Sequence, residues 1–192
     1  MSENKEKLLG EIRSWVEDIY PGSKHLIRTE YWLLKLNTKV DLASRIAALT
    51  HDIERAFQEG RKPPKPEDEV DWSDPDYSQW HGERSADFTI KKLQDFGIND
   101  NLLSDKVKRL IVFHESGGDR ETDSIKDADS LSFLEVNTGF FISRISTEDK
   151  RFNKQSIRKK FDWMFKRISS EKAKELARPF YKKAISGLEK SK

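Results

Sequence analysis

The chain has 192 residues, 36% of them charged and 35% hydrophobic, with a formal net charge of +2. Five Trp and eleven Phe supply bulky core material, so a folded single domain is expected and disorder is excluded. No cysteine is present and no apolar run approaches the ~20 residues of a membrane span, which excludes disulfides, thiolate metal sites and membrane crossing.

Apolar residues recur at threes and fours almost throughout. Leu8, Ile12, Trp15, Val16 and Ile19 predict a first helix, stopped by "YPGS". Ser23 can cap a second through Leu26, Ile27, Trp32, Leu33 and Leu36. Asp41 can cap a third, through Leu42, Ile46, Leu49 and Ile53 to about Phe57. Residues 58–79 hold four prolines and many charges, and read as a long loop able to wall or lid a pocket. Helix resumes near Trp80 and runs through Ala86, Phe88, Ile90 and Leu93. Another spans Leu102, Val107, Leu110, Ile111 and Phe113, broken by "ESGGDRET". A further helix holds Ile125, Ala128, Leu131 and Phe133, and two long helices follow from about Thr147 and Ser170. With no convincing strand pair and no repeat, the class is all-α, as one domain over 1–192.

Charge is unevenly spread. Between Lys150 and Lys192, 15 Lys and Arg stand against 4 Asp and Glu, a net +11 that leaves −9 for residues 1–149. Such a tail reads first as a solvated helical face; it can also attract a polyanion, or dock on the acidic part of its own or another chain. Phe161, Trp163, Phe165 and Phe180 recur at helical spacing and read as core, so nucleic acid is not the expected partner. The charged N-terminus lacks the apolar stretch of a signal peptide, and a cytoplasmic protein without a membrane partner is expected.

The stretch "AALTHDIERAF" poses the functional question. His51, Asp52, Glu54 and Arg55 interrupt an apolar face that Ala56 and Phe57 then resume. The chain's other histidines are His25 near a helix start, His81 at a helix start and His114 at a helix end. "KDADSLSFL" places Asp127 and Asp129 beside an apolar face of a further helix. Any one such histidine, taken alone, is most simply a surface residue or a hydrogen-bonded core residue.

Taken in order, these segments resemble the HD-domain superfamily of metal-dependent phosphohydrolases. "SKHLIRTEYWLLKL" looks like that family's first helix, "IAALTHDIER" like its defining His-Asp segment, and "HGERSADFTIKKL" like the start of its next helix. "IVFHESGGDRETDSIKDADSLSFLEV" is similar to its fourth histidine, a polar break and the final Asp-Ala-Asp-x-Leu helix. The resemblance covers roughly residues 20–137; the basic helical extension from about 147 to 192 carries no motif.

The resemblance implies an HD-type helical bundle with a divalent metal site. His25, His51, Asp52 and Asp129 match a one-metal set, and His81 and His114 match the additional pair of two-metal members. Asp129, directly before x-Leu, matches the final ligand, with Asp127 as its rival for capping or orienting. Imidazole and carboxylate suit Mn, Fe, Co, Ni or Zn without thiolate, and two ions per chain are expected. Helical spacing puts Arg28, Arg55 and Arg84 one turn after His25, His51 and His81, and Arg120 lies in the break before the last ligand helix. These four are candidate phosphate binders, with Asp52, Glu54 and Arg55 as candidate catalytic groups. The expected function is hydrolysis of a phosphoester, a nucleotide or small phosphorylated metabolite, by a metal-activated water. A di-iron oxygenase and a non-catalytic metal-stabilised binding module are the alternatives, and the basic tail invites association with a second copy.

Overall fold

The computed structural model describes residues 2–59, 62–64, 73–145 and 152–191. Among these residues nine α-helices and one 3-10 turn form the fold, with no strand. They are α1 (Ser2–Ile19), α2 (Ser23–Leu36), α3 (Leu42–Thr50), α4 (Pro75–Asp95), α5 (Asn101–Val112), α6 (Arg120–Val136), α7 (Thr138–Ser143), α8 (Lys154–Lys166) and α9 (Glu171–Lys190), with the 3-10 turn at Ile53–Ala56.

Local chemistry starts most of these helices where they start. Asp41 accepts from the Ser44 N–H, Asp100 from Leu103, Asn153 from Ser156 and Ser170 from Ala173. Asp119 builds a capping box with Thr122 at the head of α6. Each such cap is worth about 1 kcal/mol and answers one of the orphan donors of a first turn. The second helix is the exception to expectation: Ser23 is its first helical residue rather than its cap, and Gly22 takes the capping position with no side-chain bond.

α6 is the central element, with α2, α3, α8 and α9 packed around it. Its Ile125, Ala128 and Leu131 are fully buried, as are Ile46, Ala47, Ala48 and Leu49 of α3 and Leu26 of α2. Alanines at these crossings let backbones approach closely, which brings the polar ends of several helices to one place. The C-terminal helices close the bundle with Phe161, Ala173 and Ala177. Part of their positive charge is spent within the chain: Arg167 pairs with Asp129, and Lys172 donates to the Lys35 and Leu36 carbonyls at the end of α2.

Three boundaries differ from the sequence expectation. α3 ends at Thr50 rather than continuing to Phe57, because Asp52 takes φ −107° and ψ 10° and the chain tightens into i→i+3 bonding. α4 begins at Pro75, not near Trp80: Asp74 accepts from Asp76 and Tyr77, and Pro75 supplies a preset φ at the first helical position. The expected helix start near Thr147 lies outside the described residues, within which α8 begins at Lys154; the short α7 had no counterpart in the sequence reading. Much of the Pro-rich loop 58–79 also lies outside them.

Candidate metal centre

The four histidines reach one place from four different segments. His25 sits in the first turn of α2, His51 caps the C-terminal end of α3, His81 lies in the second turn of α4 and His114 follows the end of α5. All four are buried, none exposing more than 4% of its surface. Their ring centroids stand 4.9 to 5.4 Å apart in a chain: His25 to His51, His51 to His114, His114 to His81.

Each ring has one nitrogen tied outward. His51 Nδ1 lies 3.1 Å from the Ala48 carbonyl and His114 Nδ1 lies 2.6 Å from the Ile111 carbonyl. A carbonyl only accepts, so both rings carry their proton on Nδ1 and turn an Nε2 lone pair inward. Ser132 donates to the His25 carbonyl at 2.7 Å, which leaves its oxygen to accept from His25 Nδ1 at 2.9 Å. His81 Nδ1 is held by Glu54 Oε1 at 3.0 Å. The outer partners thus set tautomer and ring orientation, as around metal-ligating histidines.

The inward nitrogens converge on two carboxylates. Asp129 Oδ1 lies 3.1 Å from His25 Nε2 and 3.5 Å from His51 Nε2. Asp52 Oδ1 lies 2.7 Å from His81 Nε2, 3.9 Å from His114 Nε2 and 4.0 Å from His51 Nε2. The break after Thr50 makes this possible. On a continuing helix Asp52 would point about 100° away from His51; in the turn both side chains face the same space. Ligand atoms fall within mutual metal-binding reach in three overlapping groups: His25, His51 and Asp52; His51, His114 and Asp129; Asp52, His81 and His114. His51 Nε2 and His114 Nε2 are buried with no hydrogen-bond partner. Buried polar atoms without partners are costly, and a divalent cation satisfies both. The buried His/Asp cluster can therefore hold a metal ion, and its donor set is one of imidazole and carboxylate.

The electrostatics are graded across the cluster. Burial and Arg55 pull the His81 pKa down, but Asp52 and Glu54 outweigh them and raise it to about 9. Burial, with His51 and His81 adding to it, drives His114 down to about 4. Burial opposes ionisation of Asp129, yet Arg167, His25 and His51 hold it well below the usual carboxylate range.

A cavity of about 700 Å³ opens on this cluster. His25, Asp52, Asp129, Arg55, Lys160 and Arg167 contribute to its wall. Arg55 Nε donates to Asp52 Oδ2 at 3.1 Å, and Arg167 bonds Asp129 through Nη2 and Ser130 Oγ through Nε. Burial pulls the Lys160 ammonium down to about 8 even though Glu115 supports its charge. Tyr20, also on the wall, is pushed up to about 12 by burial and then Asp52, so its hydroxyl stays a donor.

The other sequence candidates lie elsewhere. Glu54 does not face the cavity: its carboxylate is taken up by His81 Nδ1 and Arg84, which makes it a positioning residue for His81 rather than a group on the cavity wall. Arg84 is turned to Glu54 and to the carbonyls of Phe57 and Glu59. Arg28 is held bidentate by Glu135 at 2.8 Å and stacks on Tyr31. Arg120 opens α6 beside a second, separate hollow near Asp41. Asp127, the rival of Asp129, accepts from the Ser169 and Ser170 N–H groups at 2.6 and 2.9 Å and so anchors the start of α9.

Sequence reasoning missed Lys160, Arg167, Glu115 and Ser132. Lys160, Met164 and Arg167 share one face of α8 at spacings of four and three, which was a legible sign of a helix turning cations toward an apolar interior. No family model, no curated protein and no solved structure matches this chain.

Proposed function

We propose that the chain is a metal-dependent phosphohydrolase that cleaves a phosphoester. The observation that carries this reading is the convergence of four outwardly anchored imidazoles on Asp52 and Asp129, on the wall of a cavity that also presents Arg55, Lys160 and Arg167. His25, His51 and Asp129 would hold one ion and His81 and His114 a second, with Asp52 shared between them. Ions held there would supply a hydroxide nucleophile near neutral pH and polarise phosphoryl oxygens.

The chain's own groups do the rest. Arg55, Lys160 and Arg167 bind the phosphoryl oxygens and offset charge that grows in the transition state. Asp52 and Asp129 keep Arg55 and Arg167 extended into the cavity, so little ordering remains when an anion arrives. Tyr20 is placed to donate a hydrogen bond to a bound oxygen. Glu54 and Ser132 hold His81 and His25 in the orientation the ligand set requires.

The test begins with metal content per chain on anaerobically purified protein, alongside His51→Ala and His81→Ala. About two transition-metal ions are expected, falling to about one in His51→Ala and in His81→Ala. The loaded protein should then release phosphate from a panel of monoesters, or an alcohol and a monoester from diesters. No metal after reconstitution would overturn the reading, as would bound iron with substrate-dependent oxygen consumption and no phosphate release.

A further inference from the structure

We propose that the ester this site accepts is that of an apolar alcohol rather than of a sugar or a nucleoside. The proposal deepens the phosphohydrolase reading and rests on it. The cavity has two chemically different ends. One carries Asp52, Asp129, Arg55, Lys160 and Arg167; the other is walled by Phe133, Val136, Phe140, Phe141, Phe152 and Met164. One helix runs from one end to the other: α6 carries Asp129 at the ligand end, Phe133 one turn later and Val136 beyond it. α8 lies where the two ends meet, with Met164 between Lys160 and Arg167. The Lys160 ammonium stands 5.4 Å from the centre of the Phe133 ring and marks the junction of the two ends.

The apolar end is poorly suited to a polar alcohol. Among the described residues of its wall, Asn137 is the one amide side chain there. Sugar hydroxyls, or the edge of a base, would lose water with few partners to replace it. The rings also meet at steep angles: Phe133 to Phe141 at 66°, Phe140 to Phe141 at 83° and Phe140 to Phe152 at 90°. Rings packed in this way turn edges as well as faces toward the hollow. Arg144 stands 5.2 Å from the centre of Phe152 and 6.0 Å from that of Phe140, and does not line the cavity. Phe140 remains 57% exposed, an apolar surface that a hydrophobic ligand would cover. The volume of about 700 Å³ lies in the range that takes a small amphiphile whole.

The experiment is a calorimetric titration of the metal-reconstituted protein with alkylphosphonates from ethyl to decyl. Their phosphorus–carbon bond is not an ester, so binding is read apart from turnover. Affinity should rise by up to about fourfold per methylene until the apolar end is filled. Phe140→Ser and Phe152→Ser should flatten that rise and leave ethylphosphonate unchanged. Phe113→Ser, at an exposed phenylalanine off the cavity wall, should leave the whole series unchanged. A flat series would overturn the proposal, as would nucleoside 5′-monophosphates or hexose phosphates binding more tightly than octylphosphonate. Phosphate release from matched alkyl esters and nucleotides separates the two readings. Nucleotide hydrolysis with a flat alkyl series overturns the apolar-alcohol class and keeps the hydrolase. A steep series with no release from any ester overturns the hydrolase and keeps the ligand class.

Discussion

Replacing Gly82 with alanine sets helix propensity against packing beside the buried His/Asp cluster. Gly82 follows His81 inside α4, where alanine gains about 1 kcal/mol of intrinsic helix stability over glycine. A Cβ at that position would stand 2.9 Å from both the Cα and the carbonyl oxygen of Val112, the last residue of α5. Carbon atoms rest at about 3.5–4.0 Å, so α4 must retreat by roughly 0.6 Å or more. Overpacking of this kind costs typically about 1–3 kcal/mol, and here the obstacle is backbone, which yields less readily than a side chain. The two effects leave Gly82→Ala destabilised by about 0–2 kcal/mol, or up to roughly 8 °C in Tm for a chain of this size. The larger consequence is local. His81 rides on α4 and His114 on the end of α5, with ring centres 5.4 Å apart and both Nε2 atoms aimed at Asp52. Separating the helices spreads these ligands, and affinity for the second metal equivalent should fall by about 10–100-fold, as it does when ligand orientation is lost. Guanidinium unfolding and a calorimetric metal titration read the two effects separately. A variant more stable than the parent, with its second equivalent bound as tightly, would refute the reasoning.

Ser132→Ala removes the acceptor for His25 Nδ1 and frees the ring to turn; metal affinity in a chelator competition should drop about 10–100-fold, and an unchanged affinity would show that the serine does not orient His25. Asp127→Ala leaves the Ser169 and Ser170 N–H groups unanswered and should cost about 1–3 kcal/mol of stability with metal uptake intact, whereas Asp129→Ala should abolish uptake; loss of metal in Asp127→Ala would reverse the two roles. Burial pushes the Glu115 carboxyl up, but His114, Lys160 and Arg167 outweigh it and hold it at about 2. A carboxylate with a depressed folded pKa contributes stability that is fully present above its ordinary value of 4.5 and lost as pH falls from there toward 2. The stability gap between the parent and Glu115→Gln should therefore shrink across that window in urea titrations, and a gap that stays constant would refute the assignment.

Much of this protein is legible in the amino-acid order because its signals are local. Three-and-four spacing of apolar residues marks the helices, and Asp41 announces the start of α3 through a side chain that reaches only three residues ahead. The order of His25, His51-Asp52, His81, His114 and Asp129 marks a donor set before any geometry is known, since imidazole and carboxylate are named by residue type alone. Asp74-Pro75 was equally local, yet the prolines around it spoke for a loop and hid a helix start.

Tertiary structure decided the rest, because it depends on contacts that no local pattern contains. The break at Asp52, which turns its carboxylate to the same space as His51, is a backbone choice made against the packed surroundings of α3. Arg28, Arg55 and Arg84 stand at similar spacings after a histidine, but acidic partners distant in sequence take Arg28 and Arg84 away from the cavity, whereas Asp52 holds Arg55 on its wall. Arg167 and Lys160 come from α8, far along the chain from the histidines, and join them only because α6 buries one face against α2 and another against α8. Residue type states what chemistry is available; the packing of α6 determines which groups meet to perform it.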